Sequence, residues 1–170
     1  DYSIFVAEVA STCNEELLFD HLMNTLDDEK QKIYLLNQWL DGFRGTVFRQ
    51  TMFAEFEHMI HEMDAKGEAI TADKLTTVYY DLNKKYFGDA MKVDEEIGLE
   101  WARIPHFYYN YYVYQYATGQ SAATALSKQI LEEGQPAVDR YINNFLKAGC
   151  SDFPIEVLKA AGVDMESPEP

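Results

Sequence analysis

SIFVAEVASTCNEELLFDHLMNTL, Ser3 to Leu26, is the stretch that decides the fold class. Phe5, Val9, Cys13 and Leu17 recur at every fourth position, and Val6 and Leu18 widen the same apolar stripe. That is the spacing of a helix burying one side; a half-buried strand would alternate with a period of two. Glu8, Thr12 and Glu15 fall together on a different face. Glu8 sits among Val6, Ala7, Val9 and Ala10, where a carboxylate is costly to desolvate unless a cation or hydrogen bonds compensate. Two readings stand. Glu8 is an ordinary glutamate on the polar face, or it is a ligand to a metal held elsewhere, its small neighbours letting the helix come close. The second expects its carboxylate to be shielded from water.

Working outward, residues 29–63 carry a longer helical pattern, with Ile33, Leu36, Leu40, Val47, Phe48, Phe53 and Ile60 at helical spacing. The glycines of LDGFRG, residues 40–45, are expected to kink or split it. Lys66-Gly67-Glu68 reads as a turn, and Thr71 as the cap of a third helix running to Tyr86, with Gly88 just past its end. Residues 89–104 read as a loop and a short helix ending before Pro105. A fourth helical region is expected from about 106 to 133, closing at Gly134, with Gly119 a soft spot within it. Further helices are expected over 135–148 and about 154–161, the latter with Pro154 in its first turn. The reading is an all-α chain with one folded domain over 1–164 and a frayed tail over 165–170.

The totals narrow the function. The chain has 170 residues, 29 acidic against 14 basic, for a net charge of -15. Such an excess repels a nucleic-acid duplex or an anionic membrane surface. No apolar run approaches the ~20 residues that span a bilayer. Cys13 and Cys150 lack CxxC spacing and are too few to staple a domain of this size, so both read as reduced thiols. The chain opens at Asp1, already within a helical pattern, and is expected to be a piece of a longer protein.

Two other constellations carry polar chemistry. Glu55 and His58 make an ExxH pair, half of a carboxylate-bridged di-iron site in a helical bundle, but no second ExxH follows. His58 and His61 with Glu62 form HxxHE, which is neither HExxH nor HxxEH. The segment reads as a solvated helix face. PHFYYNYYVYQY, Pro105 to Tyr116, holds six of the twelve tyrosines. On a helix, Phe107, Tyr111 and Tyr114 would share one face, Tyr108, Tyr112 and Gln115 the next. Tyrosines on all sides fit either aromatic packing with hydroxyls at the rim or a wet cavity. His106 beside them adds a neutral donor of the kind that meets a developing oxyanion.

FVAEVASTCNE (Phe5 to Glu15), RIPHFYYNYYVYQYATGQSAA (Arg103 to Ala123) and FLKAGCSDFPIEVLKAAGVDM (Phe145 to Met165) together resemble the C-terminal part of the oligoendopeptidase F type within the thimet oligopeptidase-like family of zinc metallopeptidases. The resemblance covers essentially the whole chain. It implies an almost wholly helical fold with a deep channel that admits short peptides. It implies one zinc ion held by two histidines of an HExxH helix and by a glutamate on a following helix. Glu8, in AEVAS, matches that glutamate; Glu15 matches a second, supporting one. His106 matches a histidine across the cleft, and Tyr111 and Tyr114 match tyrosines there, residues that donate to the tetrahedral intermediate or contact substrate. The glycine-rich spacer that the thimet branch has between histidine and tyrosines is shortened to FYYN, so the resemblance leaves the role of Tyr108 open; it is a candidate substrate contact. Gly119 matches a glycine of the ATGQS element.

HExxH itself is absent from these 170 residues; His61-Glu62 is followed by Met63, Asp64 and Ala65. The expectation is therefore a cytoplasmic zinc endopeptidase for short oligopeptides, of which this chain supplies the third zinc ligand and the His/Tyr donors. Its partners are an oligopeptide substrate and the missing N-terminal part of the same protein, with neither nucleic acid nor membrane. Alone, the chain is expected to hydrolyse nothing. The alternative is a non-catalytic helical module that binds peptides or partners through an aromatic groove.

Overall fold

A computed structural model describes residues 2–170. Helix is the only regular structure among them, as the apolar spacing requires. In chain order the α-helices are α1 (Val9–Thr25), α2 (Glu29–Phe43), α3 (Arg49–Ala65), α4 (Ala72–Phe87), α5 (Tyr114–Glu133), α6 (Gln135–Arg140) and α7 (Pro154–Ala160). The chain divides into two compact units, Asp1–Arg44 with Gln115–Pro170, and Gly45–Tyr114.

The first unit is built on the stripe that opens the sequence. Val9 and Cys13 are fully buried, and with Val6 they join Ala122, Ala123 and Leu126 of α5 in one apolar cluster. Gly119, buried on α5, lies on the side facing Val9, whose side chain is 4.0 Å from where a Cβ would stand. Tyr141, Phe145, Val157, Leu158 and Val163 complete the cluster, and Met165 packs against it. Burial pushes the Cys13 thiol up, partly offset by its hydrogen bond with Tyr141. Both cysteines are free.

Helix α2 starts where Asp28 accepts a hydrogen bond from Lys30 N–H at 2.8 Å. It presents a different face from the one expected. Ile33, Leu36 and Leu40 are exposed, whereas Leu35, Trp39 and Phe43 are half-buried. The reason is aromatic. Trp39 stacks on Phe19 of α1 at 5.1 Å between centroids and lies 4.7 Å from Phe43. Its indole N–H donates to Glu16 at 2.8 Å, and Gln120 of α5 donates to the same carboxylate at 2.9 Å. These bonds fix the helix's rotation more firmly than an undirected apolar stripe could.

The expected break at LDGFRG is real but takes another form. No sharp turn occurs at the glycines; Arg44–Phe48 form a π-helical turn between α2 and α3. A second π turn, Tyr141–Leu146, interrupts the helix expected over 135–148.

In the second unit α3 and α4 pack on each other, and a 3₁₀ segment, Glu95–Arg103, packs on α4. Thr71 caps α4 by accepting from Lys74 N–H, and Gly88, at φ 63°, ends it. Glu100 is buried and ties three elements together. It accepts from Arg49 Nη2 of α3 at 2.7 Å, from the Tyr79 hydroxyl of α4 at 2.7 Å, and from Arg103. Burial pushes its carboxyl up, but these donors outweigh that and hold it below the usual carboxylate range.

The largest departure lies at the tyrosines. The helix expected from 106 does not form there. Pro105–Tyr108 make a short 3₁₀ turn, residues 109–113 are not helical, and α5 begins only at Tyr114. Asn110 and Tyr111 both hold the left-handed backbone region, at φ 48° and 57°. No face assignment that assumes a continuous helix survives this.

Candidate functional site

Glu8 belongs to the first unit. A 3₁₀ turn, Ile4–Val6, precedes α1, and Glu8 occupies the N-cap position between them. The expectation that its carboxylate is shielded is not met: Glu8 is exposed. Val6, Val9 and Cys13 take the buried side of this junction, which turns Glu8 outward. The carboxylate is nevertheless oriented, because Ser11 Oγ donates to its Oε2 at 3.1 Å. An open carboxylate steadied by a neighbouring hydroxyl suits one ligand of a divalent cation, where outer hydrogen bonds fix ligand direction. It is one ligand only. Among the described residues no group of three His, Cys, Asp or Glu side chains could hold a metal ion. Glu15 is exposed too and lines a groove of about 270 Å³ with Thr12, Phe19 and Trp39.

His106, Tyr108 and Tyr111 belong to the second unit, and Tyr114 is its last residue. His106 stacks on Tyr112, with ring centroids 6.0 Å apart and planes at 9°, and meets Tyr109 edge-on at 6.5 Å. Tyr109 and Tyr112 close this triangle at 5.9 Å. Phe107 points the other way, onto Phe53 and Phe56 of α3 at 5.5 and 5.1 Å. The segment is thus anchored by Phe107 and by fully buried Val113. Between the anchors Tyr108 (81% exposed), Tyr109 and Tyr111 are exposed, and Tyr114, just beyond Val113, is exposed too. Of the two readings open to the sequence, aromatic packing with hydroxyls at the rim and a wet cavity, the exposure of these four tyrosines fits the first.

Of this arrangement the sequence reading does not single out Glu57, and it places His61 only on a solvated face. Glu57 of α3 is 1% exposed, and its Oε1 accepts from the backbone N–H of Tyr111 at 2.7 Å. One turn further along α3, His61 stacks on the Tyr111 ring with centroids 4.5 Å apart. The solvated face expected for this segment therefore holds for His58, which is exposed and 3.7 Å from Glu62, but not for Glu57 or His61. Glu55 is engaged by Lys85 at 2.6 Å and by the Tyr86 hydroxyl at 2.8 Å, which leaves the ExxH pair no common target. The missed signal was the spacing Phe53, Phe56, Glu57, His61, a single helical face that carries a carboxylate.

Residues 1–170 match the pattern described as peptidase family M3. Over 170 residues the chain is 74% identical to Oligopeptidase PepF of Bacillus subtilis (strain 168), covering 100% of this chain and 25% of that protein. It is 53% identical over 167 residues to an oligoendopeptidase F homolog of Lactococcus lactis subsp. lactis (strain IL1403), covering 98% of this chain and 28% of that one. The crystal structure of oligoendopeptidase-F from Enterococcus faecium superposes with a TM-score of 0.91 at 55% identity, over 98% of this chain and 32% of that chain. That of a putative peptidase from Chlamydophila abortus gives 0.93 at 46% identity, over 100% of this chain and 28% of that chain. The chain spans about a quarter to a third of the length of these relatives.

Proposed function

The chain belongs to peptidase family M3, and from that premise we propose that it is the part of a zinc-dependent oligopeptidase that contributes one metal ligand and the polar donors to the reacting peptide. The observation that carries this reading is the exposure of Tyr108 and Tyr111 on a segment anchored at both ends, with Tyr114 exposed just beyond its second anchor. Exposed tyrosines carried on a segment that Phe107 and Val113 hold against the fold suit a surface that receives a substrate.

Each residue has a role in this reading. Glu8, its direction set by Ser11, is one zinc ligand. Zinc, when bound, supplies Lewis-acid polarisation of the scissile carbonyl. Tyr111 or Tyr114 donates its O–H to the oxygen on which negative charge develops, the kind of donor that counts most when it is already in place. His106, its ring plane fixed by Tyr112, donates to the substrate or the intermediate. Tyr108 contacts the peptide. The remaining ligands and the general base lie outside these 170 residues, which contain no HExxH. The two free thiols, Cys13 and Cys150, support a reducing, cytoplasmic setting. Among the described residues no helix is long and apolar enough to cross a membrane.

The test is hydrolysis of a quenched fluorescent oligopeptide. The full-length protein carrying this sequence should cleave it and stop on chelation of zinc, and the 170-residue chain alone should not cleave it. Chelator-sensitive turnover by the chain alone, or chelator-insensitive turnover by the full-length protein, overturns the reading.

A further inference from the structure

We propose that Glu57 is a positioning residue for the reaction, acting through Tyr111: its buried carboxylate holds the Asn110–Tyr111 turn in a left-handed conformation that these residues would not keep by themselves. The inference rests on Tyr111 facing the substrate, as argued above.

Non-glycine residues avoid positive φ because Cβ crowds the backbone, and two in succession are rarer still. Asn tolerates the region through its short polar side chain, but tyrosine has no such compensation. Yet Asn110 and Tyr111 sit there at φ 48° and 57°. A strained backbone persists only where its surroundings over-determine it. Here the surroundings come from one face of α3. Phe53 and Phe56 grip Phe107 on the N-terminal side of the turn. Glu57 accepts the Tyr111 N–H at 2.7 Å, and His61 stacks on the Tyr111 ring at 4.5 Å with the planes inclined by 28°. A carboxylate makes a stronger acceptor for a backbone N–H than a neutral group does. At 1% exposure, water cannot easily replace it.

The consequence is directional. With the amide pinned from below and the ring backed by His61, the Tyr111 hydroxyl is delivered to one place. If Glu57 is removed, the turn can relax toward negative φ and carry that hydroxyl away. The cost falls on the chemical step more than on substrate affinity, because a donor aimed at the transition state is lost.

The experiment uses the full-length protein, with Glu57→Ala, Glu57→Gln, Tyr111→Phe and the double variant Glu57→Ala/Tyr111→Phe. Glu57→Ala should lower kcat by roughly 10- to 100-fold with KM little changed, the scale expected of a misplaced catalytic group. Exchange of the Tyr111 amide, read by mass spectrometry on a peptide spanning 108–113, should accelerate. In the Tyr111→Phe background the Glu57→Ala loss should largely vanish, because both changes remove the same donor. Glu57→Gln keeps the volume and an acceptor oxygen; it should show the same trend more weakly, and it serves if the alanine variant does not fold. Unchanged exchange in both Glu57 variants overturns the proposal, as does a Glu57→Ala loss that multiplies in full with that of Tyr111→Phe. If Tyr111→Phe alone keeps wild-type kcat while exchange accelerates in Glu57→Ala, the turn is held as proposed and only the role of Tyr111 in the reaction fails.

Discussion

The Glu57 carboxylate and the Tyr111 backbone N–H, 54 positions apart in the chain, meet at 2.7 Å. Tyr111 is thereby placed by a helix and not by its own segment. Tyr114 is placed differently, as the first residue of α5.

That difference separates the two oxyanion-donor candidates. In the full-length protein, Tyr111→Phe or Tyr114→Phe should lose kcat by about 10²-fold with KM nearly unchanged, the usual cost of one such donor. Steady-state kinetics on one oligopeptide check it. Wild-type kcat in both variants would return the tyrosines to packing.

Glu8 supplies one carboxylate to the proposed zinc site, and Ser11 steadies it. Glu8→Ala in the full-length protein should abolish zinc retention after dialysis, read by metal analysis. Ser11→Ala, which removes only the orienting hydroxyl, should weaken zinc affinity by about 10- to 100-fold, as loss of an outer-shell partner does. Stoichiometric zinc in Glu8→Ala would remove this residue from the ligand set.

Glu100 makes the second unit sensitive to acid. Its folded carboxyl titrates below its ordinary value, because Tyr79, Arg49 and Arg103 outweigh its burial. A depressed pKa means stability that is fully present above the unfolded value, about 4.3, and is lost as pH falls through the folded value. Tyr79 is shifted upward, first by burial and then by its bond to Glu100, so its contribution is present below about 10 and fades only at higher pH. Glu100→Gln should therefore destabilise the protein at neutral pH by about 1.5–3 kcal/mol, the range for a hydrogen bond to a charged group. It should also flatten the fall in stability below about pH 4, because the titrating group is gone. Denaturant unfolding at pH 7 and pH 3.5 reads both effects.

Gly98 lies in the 3₁₀ segment where it presses on α4. A Cβ there would stand 3.0 Å from Thr76 Cγ2 and 3.1 Å from the Thr76 carbonyl oxygen. Backbone in the middle of a helix cannot give way as a side-chain tip can. Gly98→Ala should cost about 1–3 kcal/mol, as overpacking does. Gly119→Ala, whose added methyl group would only touch Val9 at 4.0 Å, should cost much less. Thermal unfolding of the two variants side by side checks the contrast.

Much of the fold was legible because its causes are local. Thr71 and Gly88 bound α4 as read, since a capping hydroxyl and a positive-φ glycine act within a few residues of themselves. The stripe Phe5, Val9, Cys13, Leu17 marks the buried side of α1. The stripe Ile33, Leu36, Leu40 marks a helix but not its buried side, because Trp39 found Phe19 and Glu16. Periodicity reports that a helix exists; which face is covered depends on a partner it does not see.

The sequence by itself determined an all-α chain, the residues that carry the family likeness, and the gathering of tyrosines after His106. Only the tertiary structure decided that Glu8 faces outward and that those tyrosines leave the helix. Helical order comes from contacts three and four residues apart, which any stretch of sequence displays. A left-handed turn at Asn110 and Tyr111 is unfavourable on every local measure. It exists because Glu57 and His61 come from another helix to hold it.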